Sequence, residues 1–405
     1  MRGACGRVFQ RPIIVLVRKT WSLGVLIALL ILLIGAGSLS LASVFSNDLQ
    51  NKVIVIDPGH GGADPGAQNS GLKEKDINLD ISLRLRKVLE SKGCKVILTR
   101  EVDKDFFLPG FVRGRMAKRA ELNQRTELAT QNNADLFISV HTNSYPQRNT
   151  YGMETYYHLK SSPGKALAEL IQEQLTQLQS DNKRKAKAGD YYLINQSKMP
   201  AVIIEVGFIS NPRERKLLMS DEYRDSVAVA VSTGIERYFN TYPMGVRESA
   251  PMVAQQEGPP SASNDSYKLY FSSDNLDGLV SEEHKLSSSV WAKLGLSKKT
   301  NLVLAELIQG PRSGTLTPTL SPKTKILSIT IQDSIATIDF SGDIRDDFHG
   351  GALEEDITIQ SIVWSMTQIP GISGVRILIN GEFGDSIGGN ILLDRTFTSK
   401  SYYGV

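Results

Sequence analysis

The chain has 405 residues, of which 41% are hydrophobic and 22% charged, the proportions of globular protein and enough length for two folded units. The net charge is only +3 and much of the excess lies before residue 20, so the charge balance leaves no footprint for nucleic acid. The two cysteines, Cys5 and Cys94, flank a long apolar segment, which excludes a structural disulfide between them if that segment crosses a membrane or is removed.

Residues 1–45 follow a targeting pattern. Arg2, Arg7, Arg11, Arg18 and Lys19 precede an apolar run from Trp21 to Val44, and no acidic residue occurs before Asp48. About twenty apolar residues suffice to span a bilayer, and the basic flank predicts a cytoplasmic N-terminus with everything downstream exported. The small residues from Ala36 to Ser43 also offer signal-peptidase sites, so an anchor and a cleaved signal both fit.

From Lys52 the pattern alternates β-branched runs with amphipathic stretches. Val53–Ile56 predicts a buried strand, 74–92 a helix with Ile77, Ile81, Leu85 and Leu89 on one face, and 95–99 the next strand. A helix over 121–132, a strand over 135–140, a helix over 163–179 and a strand over 201–206 follow, then a Ser-Asn-Pro turn and two short helices ending near Phe239. This alternation predicts an α/β fold with a sheet covered on both faces. Residues 241–266, with Pro243, Pro251, Pro259 and Pro260 and almost no apolar periodicity, predict a flexible linker. Beyond it, strands near 267–271, 324–331, 334–340 and 374–379 and helices near 300–309 and 354–368 predict a smaller α+β unit.

Four residues stand out along the first half: His60 in Asp-Pro-Gly-His-Gly-Gly, Glu74 in Leu-Lys-Glu-Lys-Asp, His141 in Ile-Ser-Val-His-Thr-Asn and Glu205 in Val-Ile-Ile-Glu-Val-Gly-Phe. His60, His141 and Glu205 fall at or just past the C-terminal ends of predicted strands, where α/β sheets place their sites. Two imidazoles and one carboxylate make an open zinc site, and a further carboxylate serves proton transfer. Each residue alone has a plain structural reading: a capped strand-end histidine for His141, a helix-dipole carboxylate for Glu74. Glu205 resists one, because a carboxylate inside an apolar strand is costly unless a metal, water or cation meets it. Cys94 reads as a small core residue, and His158, His284 and His349 as surface or satisfied polar groups.

These segments, with Leu98-Thr-Arg100, Asn123-Gln-Arg125-Thr-Glu-Leu-Ala, Gly152-Met-Glu154-Thr-Tyr-Tyr157 and Ser210-Asn-Pro212, resemble the zinc-dependent N-acetylmuramoyl-L-alanine amidases of the Amidase_3 type, over about residues 52–240. The resemblance implies an amidase domain with a central mixed sheet flanked by helices. It implies His60, Glu74 and His141 as ligands of Zn2+, Glu205 as the catalytic carboxylate, and cleavage of the amide between N-acetylmuramic acid and L-alanine in peptidoglycan. The chain departs from the family between Arg100 and Arg125, where Phe106, Phe107, Phe111, Arg113, Arg115, Lys118 and Arg119 form an inserted stretch. Its basic residues read as a solvated loop, with contact to anionic wall polymer or stem-peptide carboxylates as the alternative. A second basic run, 183–187, is expected to border the substrate groove.

The second half resembles the GerMN domain of sporulation and spore-germination proteins over about residues 267–395, on Val303-Leu-Ala-Glu-Leu-Ile-Gln-Gly-Pro311, Ala336-Thr-Ile-Asp-Phe-Ser-Gly342, Ile357-Thr-Ile-Gln-Ser-Ile-Val-Trp364 and Val375-Arg-Ile-Leu-Ile-Asn-Gly-Glu-Phe383. This implies a binding module for peptidoglycan or for an envelope or sporulation protein. The expected whole is a bacterial cell-envelope hydrolase, extracytoplasmic and anchored in the cytoplasmic membrane by one N-terminal helix. A catalytically silent wall-binding adaptor and a zinc peptidase acting within the stem peptide are the alternatives.

Overall fold

Long runs of Val, Ile and Phe bounded by turn residues build the first sheet. The computed structural model describes residues 49–104, 115–243, 266–273, 278–384 and 386–399. The expected N-terminal span, most of the expected linker, and Phe106, Phe107, Phe111 and Arg113 lie outside the described residues. Among the described residues, no helix is long and apolar enough to cross a membrane.

The first region runs β1 (Val53–Pro58), β2 (Gln68–Asn69), β3 (Leu72–Lys73), α1 (Glu74–Ser91), β4 (Lys95–Leu98), α2 (Arg115–Gln131), β5 (Leu136–Asn143), β6 (Glu154–His158), α3 (Ser162–Leu178), β7 (Lys187–Gly189), α4 (Tyr192–Gln196), β8 (Ala201–Phe208), α5 (Pro212–Leu218) and α6 (Asp221–Thr241). Six strands form a mixed sheet in the order β4-β1-β5-β8-β6-β7. The first four of these are mutually parallel, and β6 runs antiparallel to β8. β5 and β8 are buried along their whole length, as central parallel strands are.

Alternation along the strands divides the side chains between two cores. Ile54, Ile56, Ile138, Val202 and Ile204 pack under Ile77, Ile81 and Leu85 of α1, Leu167 and Ile171 of α3, and Val227, Val231 and Ile235 of α6. Val55, Phe137, Tyr156 and Ile203 belong to a second cluster with Leu122 of α2 and Leu193 of α4. Asp57, His141 and Glu205 share the parity of this second face.

The following α+β region contains β9 (Ser266–Ser273), β10 (Leu279–Lys285), α7 (Ser288–Lys293), α8 (Leu296–Gln309), β11 (Leu316–Thr317), β12 (Ile326–Gln332), β13 (Ile335–Phe340), α9 (Asp343–Asp346), α10 (Ala352–Thr367), β14 (Gly374–Ile379) and β15 (Glu382–Phe383). Its strands form a three-stranded sheet, β10-β9-β11, and a four-stranded sheet, β12-β13-β14-β15, packed on α8 and α10. Ile387, Ile391, Leu392 and Leu393 after β15 join the same buried cluster as Leu122, Tyr191 and Leu193 of the first region.

Three expectations need correction. The helix expected from Glu121 begins at Arg115, and Lys118 and the buried Glu121 pair one turn apart along it. The last helix of the first region is 21 residues long rather than short: Ser220 caps it by accepting from the Tyr223 amide, and packing against α1 and α3 overrides the weak propensities of Ser232, Thr233 and Gly234. β10 was hidden by its polar composition, since all but one of its side chains lie outside the core.

Beneath the sheet's second face, the fully buried Asp57 accepts from Thr99 Oγ1 (2.6 Å), Ser139 Oγ (2.7 Å) and Arg125 Nη1 (2.8 Å). Burial opposes its charge, but Arg125 and the two hydroxyls hold the carboxyl below its ordinary value. Asp57→Ala takes one of two carboxylates from the buried Arg125, leaving Glu121 on Nη2, and empties the place that Thr99 and Ser139 donate to; it should cost about 1–3 kcal/mol of stability, read from the denaturant midpoint. Because the folded-state pKa is depressed, Asp57 contributes fully above the ordinary carboxylate range and loses its contribution as pH falls through the folded value. Asp57→Asn should therefore flatten the acid limb of the stability profile.

Candidate metal and catalytic centre

The site begins where β1 ends. His60 holds φ at 62°, a left-handed conformation uncommon for any residue but glycine, and two buried arginines fix it there. Arg100 Nε donates to the carbonyls of Pro58 (3.1 Å) and His60 (2.8 Å), and its Nη2 to Gly59 (3.0 Å). Arg125 donates to the same Pro58 and His60 carbonyls at 3.2 and 3.1 Å. The loop is therefore clamped through its backbone, which leaves the imidazole free to face the cluster.

Glu74 opens α1 and is only 2% exposed. Its Oε1 lies 3.2 Å from His60 Nε2 and 3.0 Å from His141 Nδ1, and it accepts from the Thr142 amide and Asn78 Nδ2. Its Oε2 accepts from the Ala67 amide at 2.8 Å. One donor atom from each of His60, Glu74 and His141 lies within 4.8 Å of the others, close enough to hold one metal ion. The far nitrogen of His60, Nδ1, is 3.0 Å from Asp64, the arrangement that orients a metal-binding imidazole.

The electrostatics suit a cation. Burial opposes protonation of His60, yet the Asp64 and Glu74 carboxylates raise it to about 10, so the cluster draws positive charge to the point between Glu74 and the rings. His141, by contrast, is lowered by burial despite Glu74 and keeps a lone pair available. Two imidazoles and one carboxylate, all buried, fit the donor set of an open zinc site.

Glu205 pairs in register with His141 on β5 and with Glu154 on β6, so the three side chains line one face of adjacent strands. It is 1% exposed, and neither carboxylate oxygen accepts a hydrogen bond from the described residues. Burial first, then Glu74 and Glu154, push it well above the ordinary carboxylate range. A carboxyl held in this way can take up a proton and give it back.

The sequence did not single out Asp64, and it offered the basic run 183–187 as a border of the groove without showing that Glu154 is its partner. Asp64, four residues after His60 in the same glycine-rich loop, was the available signal. Glu154 is fully buried and is met by Lys187 Nζ (2.7 Å), Arg184 Nη1 (3.1 Å) and Tyr156 Oη (2.7 Å). The basic run 183–187 thus neutralises the strand next to Glu205. In the inserted stretch, Lys118 is not solvated but bonds Asp64 at 3.0 Å, and Arg119 pairs with Asp394. Cys94 is buried, and His284 is enclosed by Glu282 and Glu306 as a satisfied polar group.

Gly59 has no room for a side chain: a Cβ there would lie 2.4 Å from the His141 ring. Gly59→Ala should therefore tilt the imidazole and weaken zinc affinity at least about tenfold, measured by competition with a chromophoric chelator.

Along its first half the chain is similar to known amidases. The family profile of N-acetylmuramoyl-L-alanine amidases matches residues 54–237, and that of a sporulation and spore germination domain matches residues 268–385. The chain is 40% identical over 198 residues to the germination-specific N-acetylmuramoyl-L-alanine amidase of Bacillus subtilis, covering 48% of this chain and 83% of that one. It is 33% identical over 190 residues to the sporulation-specific N-acetylmuramoyl-L-alanine amidase of the same organism, covering 46% and 68%. The solved structure of the CwlD amidase from Clostridioides difficile, in complex with the GerS lipoprotein, is 40% identical, covers 47% of this chain and all of that one, and superposes with a TM-score of 0.46. The chain belongs to the N-acetylmuramoyl-L-alanine amidase family.

Proposed function

We propose that His60, Glu74 and His141 hold a zinc ion and that Glu205 moves the proton as this amidase cleaves the bond between N-acetylmuramic acid and L-alanine in peptidoglycan. The observation that carries the reading is the gathering of three donor atoms within 4.8 Å, with Glu205 beside His141 in register. When bound, zinc supplies Lewis acidity toward a water and the scissile carbonyl. Glu205, held basic by its burial, accepts the proton of the attacking water and delivers it to the alanine nitrogen as the C–N bond breaks. Asp64 holds His60 through Nδ1, and the Glu74 carboxylate is held by the Thr142 and Ala67 amides, so neither ligand has to be ordered at each turnover.

The rest of the chain frames this chemistry as envelope chemistry. Residues 52–240 serve as the catalytic domain and 267–395 as a second domain. The basic flank and apolar run of residues 1–45 support export and retention at the cytoplasmic membrane. The C-terminal domain, matched by a sporulation and spore germination profile, supports a sporulation or envelope protein as partner.

Glu205→Ala should retain zinc at full stoichiometry yet lose about 10²–10⁴-fold in turnover, whereas His60→Ala and His141→Ala should lose both. Metal content by elemental analysis beside a peptidoglycan-release assay separates the two outcomes. Undiminished turnover in Glu205→Ala would remove that residue from the reaction.

A further inference from the structure

The apolar second face of the amidase sheet, which carries His141 and Glu205, is not left to solvent. Ile387, Ile391, Leu392 and Leu393, from the segment that follows β15, are each at most 3% exposed and complete the cluster formed by Leu122, Tyr191 and Leu193. The Tyr192 amide donates to the Asn390 carbonyl at 3.1 Å, and the Gly351 amide to the Ser144 carbonyl at 3.2 Å. Two ion pairs close the edges: Arg119 with Asp394 at 3.1 Å and Arg395 with Asp190 at 2.8 Å. From α10, the fully buried Glu355 accepts from the amides of Ile387, Gly388 and Asn390, which fixes the shape of the covering loop.

Among the described residues, this covering narrows the approach to the site. Gly389 and Asn390 line one cavity with His60 and His141, and its volume is about 20 Å³. That volume holds about one water, whereas sites for organic ligands run to about 300–1,000 Å³. A muramoyl peptide does not fit into that space.

We propose that the C-terminal region is an intramolecular cap on the amidase site, and that residues 387–395 must undock before a peptidoglycan strand enters. The inference rests on the assignment of the site as the amidase centre and adds its control. The chain is held closed by its own second region, and hydrolysis begins only where wall polymer or a protein bound to that region draws the cap away.

Gly351 offers a wedge. Its φ of −93° accepts any residue, but a Cβ would meet the Asn143 side chain at 2.6 Å and the Asn143 backbone at 3.2 Å across the contact. Gly351→Val should loosen the cap without disturbing either fold, and Arg119→Glu with Arg395→Glu should loosen it by charge repulsion at both edges. In the full chain, hydrogen exchange of the Tyr192 amide reports docking independently of catalysis. It should be slow in the unmodified protein and accelerate at least tenfold when solubilised peptide-bearing muropeptides are added. The loosened variants should show fast exchange without ligand and release stem peptides at least tenfold faster. Turnover by the unmodified chain with Tyr192 protection unchanged would overturn the cap, as would fast exchange in both variants with no gain in rate. A loosened, zinc-loaded variant that hydrolyses nothing contradicts the amidase assignment instead, and the muropeptide-driven exchange still decides the cap.

Discussion

The site depends on a backbone clamp. Arg100 and Arg125, both buried, hold the carbonyls of Pro58, Gly59 and His60 and so stabilise a left-handed histidine that an unconstrained loop would abandon. A buried guanidinium needs acceptors and a counter-charge, and Asp57 provides the charge for Arg125 one step below the loop. Charge, strand end and imidazole placement are thus one network, and its members are spread from residue 57 to residue 139. The parallel sheet brings them together: β4 delivers Arg100 on one side of β1, β5 delivers Ser139 and His141 on the other, and β8 adds Glu205 beyond.

The same strand alternation explains why the second region matters to the first. Odd-numbered positions of β5 and β8 carry Phe137, Ser139, His141, Ile203 and Glu205 to one face, while α1, α3 and α6 cover the other. An apolar face with a reactive rim has to be covered by something, and here α2, α4 and the C-terminal region share it. Polar chemistry and hydrophobic burial therefore compete for the same surface, which is why the catalytic face and the docking face coincide.

Much of this was legible in the sequence. The alternation of β-branched strands with amphipathic helices gave the α/β sheet, and the strand-end positions of His60, His141 and Glu205 placed them on one edge. The buried carboxylate in Val-Ile-Ile-Glu-Val was legible as costly without any structure. Other features were hidden for physical reasons. Asp64 and Lys118 find each other only through the fold, across 54 positions. The basic residues of the inserted stretch looked solvated because their acidic partners, Asp64 and Asp394, lie far away in sequence. The tail after β15 has several glycines and weak periodicity, and nothing local disclosed that its Ile and Leu residues join the buried cluster of Tyr191 and Leu193.

The most direct test of the account is mass analysis of the products released from purified peptidoglycan by the exported part of the chain, with chelator and then with zinc restored. The account predicts intact stem peptides with free L-alanine N-termini, lost on chelation and recovered with zinc. Muramic acid still bearing alanine, with cleavage inside the stem peptide, would contradict it and mark the same metal chemistry as that of a peptidase.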